Sequence, residues 1–175
     1  MFRLYHALHE DIEQATRGTP VRPAYLAALI SLESHPAGNP DSRRFEPAVY
    51  RGLVDLRDSG QAWGGVQRSK IRSASDARLR ALATSYGLTQ IMGYHCLELG
   101  CSIEDLTAAQ QLYWSVAYMR VHYEQELQRS NWERCFRMHN TGRPDGIPNR
   151  RDYVERGLTR MSYYEHWEER QGSLF

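Results

Sequence analysis

The sequence predicts a mostly α-helical single domain spanning residues 1–175. Three observations carry that expectation. Apolar residues recur at i, i+3 and i+4 through most of the chain, proline and glycine clusters divide it into helix-length pieces, and no alternating run marks a strand. At 175 residues it can bury a sizeable core without disulfides or metal. An apolar fraction of 41% beside a charged fraction of 25% fits a globular chain and excludes the low-hydrophobicity disordered class.

In order, residues 3–16 read as an amphipathic helix closed by Gly18-Thr19-Pro20. Pro23 suits the first turn of the next helix, where its missing N–H costs nothing. That helix carries Leu26, Leu29, Ile30 and Glu33 at i, i+3, i+4 and i+7, and His35-Pro36 with Gly38-Asn39-Pro40 stop it. Phe45, Val49, Leu53 and Leu56 keep helical spacing from 45 to about 58, where Ser59-Gly60 closes the helix. Residues 61–73 are irregular. Trp63, Gly64-Gly65 and the cations Arg68, Lys70 and Arg72 mark either a surface loop or the rim of a binding groove. Any short irregular or β excursion is expected within 57–72.

A short helix over 76–84 presents Leu79, Leu82 and Ala83, Ser85-Tyr86-Gly87 interrupts it, and a second helical run is expected over 88–99. Thr107-Ala108-Ala109-Gln110 has the form of a capping box, so a helix is expected to begin there. Leu112, Val116, Met119, Tyr123 and Leu127 lie on its apolar face. Residues 131–138 form a short helix with Trp132 and Phe136, 139–148 a loop, and a last helix places Tyr153, Val154, Gly157, Leu158 and Met161 on one side.

Glu33 shares its helix face with residues that should be buried. Desolvation favours the protonated form of a carboxyl group, which is how a protein keeps an acid ready to give up a proton near neutral pH. The alternative is a frayed helix end that turns the carboxylate to water.

Four segments in order carry a resemblance: Ile30-Ser31-Leu32-Glu33-Ser34, Ser85-Tyr86-Gly87-Leu88-Thr89-Gln90-Ile91-Met92, Phe136-Arg137-Met138-His139-Asn140-Thr141-Gly142, and Ile147-Pro148-Asn149-Arg150-Arg151-Asp152-Tyr153-Val154. Together they resemble the soluble lytic transglycosylase and goose-type lysozyme group of the lysozyme-like superfamily. Thr89 stands where that group has methionine, His139 where it has tyrosine, and Arg150-Arg151 where it has Glu-Thr. The long interval between Glu33 and Gly87, with Arg44-Phe45-Glu46-Pro47-Ala48-Val49-Tyr50, looks more like phage-type N-acetylmuramidase endolysins.

The resemblance implies a lysozyme-like helical domain that cuts the β-1,4 bond between N-acetylmuramic acid and N-acetylglucosamine in peptidoglycan. It gives Glu33 as general acid and Tyr153 as the residue that hydrogen-bonds and orients it. Gln90 and Asn140 would bind amide or hydroxyl groups of the sugar, Tyr86 and Tyr94 would stack on its rings, and Gly87 would allow its close approach. Ser85 and His139 would line the groove. The plainer alternatives are Tyr153 as core, Asn140 as a turn residue, Gln90 as a solvated helix residue and Gly87 as a helix junction. With one carboxylate, Glu33 can next act as base on the muramic 6-hydroxyl and give a 1,6-anhydro product. A hydrolase would instead need a second carboxylate, for which Glu46 is a candidate if it is not in a surface salt bridge. A glycan-binding module of the same fold is a third reading.

Neither a cofactor nor a metal is expected: the seven histidines show no His-Glu-x-x-His or paired Cys/His spacing. A net charge of +1 gives no electrostatic case for nucleic acid, despite Arg68, Lys70, Arg72 and Arg78. No apolar run reaches a membrane span, and no apolar stretch of a secretory signal follows the N-terminus. A monomer made in the cytoplasm and reaching the wall by phage lysis, a virion or a secretion system is expected. Cys96, Cys101 and Cys135 read as reduced thiols, with a Cys96–Cys101 pair left open.

Overall fold

The computed structural model describes residues 2–34 and 38–172. His35 and Pro36, read as a helix stop, lie outside the described residues. The fold is mostly helical: α1 (Phe2–Thr16), α2 (Pro23–Glu33), α3 (Pro47–Ser59), α4 (Asp76–Leu82), α5 (Cys96–Leu99), α6 (Gln111–Gln128), α7 (Trp132–Thr141) and α8 (Tyr153–Gly172). A three-stranded antiparallel sheet joins β1 (Arg43–Phe45), β2 (Thr84–Tyr86) and β3 (Ile91–Met92) in that order.

α2 is not the one-faced helix its spacing predicts. Ala24 through Ser31 are all buried, so α2 runs through the core with no solvent face until its last turn. α1 and α8 flank it, α6 joins α1 to α7, and α7 packs on α8. Tyr5 fixes the outer helices by donating to the Arg160 carbonyl oxygen at 3.0 Å and meeting the Tyr164 ring edge-on at 4.6 Å. α7 and α8 approach closely at Gly157, where a Cβ would lie 2.6 Å from the Phe136 ring.

The β excursion falls outside 57–72. That segment holds the end of α3 and a single 3-10 turn, Arg68–Lys70, whereas the strands come from 43–45, from 84–86 at the expected helix interruption, and from 91–92 within the stretch read as helix over 88–99. Leu88 and Ile91 are both buried, and their i, i+3 spacing imitates a helix face. The backbone from Gly87 to Gln90 turns sharply instead, with these two residues at φ of 75° and 54°. A Cβ on Gly87 would stand 2.1 Å from the Leu106 carbonyl oxygen, so only glycine fits this corner.

The capping box also forms differently. Thr107 closes a 3-10 turn (Glu104–Leu106) through its hydroxyl, which donates to the Glu104 carbonyl oxygen at 3.3 Å, and α6 starts at Gln111. The long, apolar remainder of α6 matches its pattern, with Leu112, Val116, Met119, Tyr123 and Leu127 buried. Its backbone breaks at Tyr123, with φ −149° and ψ 33°. α7 extends to Thr141, so His139 and Asn140 sit on a helix end rather than in the expected loop. All three cysteines are free thiols, and Cys96 donates to the Ser102 carbonyl oxygen. Among the described residues, no helix is long and apolar enough to cross a membrane.

Candidate functional site

The last residue of α2 and the first of α8 meet. The Tyr153 hydroxyl donates to Oε1 of Glu33, and Arg160 donates to the Ser31 hydroxyl oxygen at 3.1 Å further along the same helix pair. Glu33 is partly exposed, whereas Tyr153 is only 6% exposed. Burial, and next the charge of Glu33, hold the Tyr153 phenol well above its ordinary pKa, so it remains a donor. The Phe136 ring stands edge-on to Tyr153 at 6.3 Å and Tyr25 packs on Phe136 at 4.8 Å, giving the pair a rigid aromatic backing.

Beside this pair lies a chain of polar groups that the sequence did not disclose. His139 Nε2 is 2.8 Å from the Thr89 carbonyl oxygen, which can only accept, so Nε2 carries the proton. Nδ1 then accepts from the Tyr123 hydroxyl at 3.1 Å, and Tyr25 donates to Tyr123 at 3.3 Å. Burial pushes the His139 pKa down while the Glu33 charge and the Thr89 carbonyl pull it up, and burial prevails. The imidazole is a neutral strut tying α7 to the β2–β3 turn. The break in α6 at Tyr123 lies where this phenol joins the chain.

Gln90 serves the same turn. Its Oε1 accepts from the Ser85 hydroxyl at 2.8 Å, and its Nε2 donates to the carbonyl oxygens of Gly87 at 2.9 Å and Ser42 at 3.2 Å. These bonds offset its left-handed backbone and commit its amide internally, as Ser85 commits its hydroxyl. Gln111 accepts from the Leu88 N–H at 2.8 Å, and Thr89 donates to Ser115, whose own proton goes to the Gln111 carbonyl oxygen at 2.8 Å. Gly87 is a packing glycine rather than a point of approach for sugar. Tyr86 is 7% exposed with its hydroxyl on the Ala81 carbonyl oxygen, so its ring offers no stacking face to a ligand.

The remaining expected residues gather on open surface. Tyr94, His139, Asn140 and the edge of Gln90 line a cleft of about 280 Å³, near the low end of small-ligand sites. Asn140 is exposed at its rim. A second cleft of about 260 Å³ shares Tyr94, with Gly64, Gly65 and Lys70 as its outer wall. Residues 64–67 and Lys70 thus form a surface loop that borders this cleft. Tyr94 meets Trp63 edge-on at 5.2 Å. Glu46 stands at the start of α3, its carboxylate on Arg44 Nε at 2.7 Å.

Among the described residues, two groups of side chains bring three possible metal-ligating atoms within 4.8 Å of one another: His95, Glu98 and His122, and His9, Glu13 and Glu168. The first lies on the wall shared by both clefts, since His95 and His122 line each. Burial, with His122 and His139 nearby, pushes the His95 pKa down to about 3, and burial also lowers that of His122. Comparison with family models, curated proteins and solved structures gives no match to this chain.

Proposed function

We propose that the protein is a lysozyme-like lytic transglycosylase that cuts the β-1,4 bond between N-acetylmuramic acid and N-acetylglucosamine in peptidoglycan. The observation that carries this reading is the hydrogen bond from Tyr153 to Glu33, between residues 120 positions apart. The four-segment resemblance requires that contact, and composition and periodicity do not.

Glu33 is the general acid. With Oε1 held by Tyr153, Oε2 presents the proton to the glycosidic oxygen. The bond from muramic C1 to that oxygen breaks, the N-acetylglucosamine leaves as an alcohol, and C1 takes on oxocarbenium character. The Glu33 carboxylate then removes the proton of the muramic 6-hydroxyl as its oxygen attacks C1. The products are a 1,6-anhydro ring and a reprotonated acid, and no water is consumed. Before that attack the substrate's acetamido group can stabilise C1 in place of a second carboxylate. Asn140, with an amide that donates and accepts, and Tyr94, with a ring edge on both clefts, hold the glycan.

The hydrolytic muramidase is the second reading. It needs a carboxylate to activate water, and the acids in or after the insertion are Glu46, Asp55, Asp58 and Asp76. Glu46 is paired with Arg44 at 2.7 Å, and Asp58 and Asp76 with Arg57 at 2.6 Å each, whereas Asp55 is exposed on α3. The pairing of Glu46, the nearest of them in sequence to Glu33, favours the internal nucleophile. The enzyme acts at the cell wall after release or delivery, as a monomer on glycan strands.

Digestion of purified sacculi tests both readings, with muropeptide ends identified by mass. Anhydro-muramyl ends are expected from the parent and none from Glu33→Gln. Reducing ends would favour the hydrolase, and equal cleavage by Glu33→Gln would remove the acid from its role.

A further inference from the structure

We infer that His95, Glu98 and His122 form a binding site for a zinc-class divalent cation on the wall between the two clefts. His95 ends the 3-10 turn Gly93–His95, Glu98 follows it in α5, and His122 reaches across from α6. Two imidazoles and a carboxylate are a three-ligand set that zinc takes with a fourth position open. Their nitrogen donors select against magnesium and calcium, which prefer oxygen.

One observation beyond proximity points to an ion, and the spacing of the donors fits one. His122 Nε2 is buried and has no hydrogen-bond partner, although it lies 3.2 Å from Glu98 Oε2. A buried ring nitrogen that faces a carboxylate without a hydrogen bond to it is under-satisfied. Neighbouring donors on a tetrahedral zinc with bonds of about 2.0–2.1 Å stand roughly 3.3 Å apart, so this pair already has the required spacing. The His95 ring, 4.7 Å from that of His122 between centroids, needs only a modest shift, and the exposed Glu98 side chain is free to follow.

The other three-donor group needs no ion. His9 Nδ1 is bonded to the Tyr164 hydroxyl at 2.8 Å, and burial with Glu13 beside it raises the Glu168 carboxyl pKa to about 7, which favours its protonated form. Occupancy at His95, Glu98 and His122 would tie α5 to α6 and fix the wall that carries Tyr94. The inference is independent of the proposed reaction.

Titration of the folded full-length protein with Zn²⁺ by calorimetry tests it, with Mg²⁺ as control and a thermal melt at each ratio. The parent should bind one equivalent of Zn²⁺, melt higher with it and ignore Mg²⁺. Glu98→Gln, at an exposed position, and His122→Gln should each weaken binding by at least about tenfold. Cys101→Ser and His9→Gln should bind as the parent does. Undiminished binding by Glu98→Gln and His122→Gln, loss of binding in Cys101→Ser or His9→Gln, or no Zn²⁺-dependent melting shift in the parent would each overturn the site.

Discussion

The phenol of Tyr153, at the start of α8, holds Oε1 of Glu33, at the end of α2, by a hydrogen bond that it donates. Burial and the neighbouring carboxylate hold that phenol well above its ordinary pKa, so it stays protonated as the donor. The bond fixes the carboxyl group without competing for its proton.

Tyr153→Phe keeps the ring and its contact with Phe136 while removing the donor. The variant should fold, and glycan cleavage should slow by roughly ten- to a thousandfold, as when a positioned hydrogen-bond donor is lost. Initial rates on labelled sacculi measure this. A rate equal to the parent's would take Tyr153 out of the site.

Gly87→Ala should destabilise the fold by about 2–5 kcal/mol, from the left-handed backbone cost and the overlap with the Leu106 carbonyl. Urea unfolding monitored by tryptophan fluorescence reports the loss. A midpoint unchanged from the parent would contradict the corner as described.

His139→Phe leaves the Tyr123 hydroxyl without its acceptor and the Thr89 carbonyl without its donor. A cost of about 2–4 kcal/mol in stability is expected from two buried polar groups losing partners. His139→Tyr, which keeps a donor, should lose less. Equal unfolding midpoints for both variants would show that the strut carries no stability.

Glu168 supplies a pH signature on the face where α1 meets α8. Burial first, then Glu13, raise its carboxyl pKa from 4.5 to about 7 in the folded chain; Glu165 adds to this and Arg22 opposes it. The folded state therefore binds this proton more tightly than the unfolded chain does. Its contribution to stability is full below about pH 4.5 and is lost as pH rises through about 7. Glu168→Gln should raise the melting temperature at pH 8 and change it little at pH 4, the difference between the two proteins cancelling the slopes of the other acids. A constant difference across that range would refute the linkage.

Helices that bury one stripe or one whole surface were legible because the apolar repeat records the face. The long α6 and the apolar α2 are the clearest cases, although α2's central position is set by what surrounds it. The β2–β3 turn was not legible, because Leu88 and Ile91 satisfy a helix repeat and the left-handed Gly87 and Gln90 depend on a bond donated by Ser85 and on bonds accepted by Ser42 and Gln111. The same holds for the capping box, where the Thr107 hydroxyl goes to the Glu104 carbonyl of the preceding 3-10 turn and α6 starts only at Gln111.

The sequence by itself determined a mostly helical chain and marked Glu33 as an acid on an apolar helix. Only the tertiary structure decided which polar groups surround that acid. It gave Gln90 and Ser85 to the turn, Glu46 to Arg44 and His139 to a strut, and it brought His95, Glu98 and His122 together with no spacing to announce them. The physical reason is that a repeat encodes where a side chain points from its own helix, whereas a hydrogen bond or a ligand set depends on where distant backbones are brought to rest.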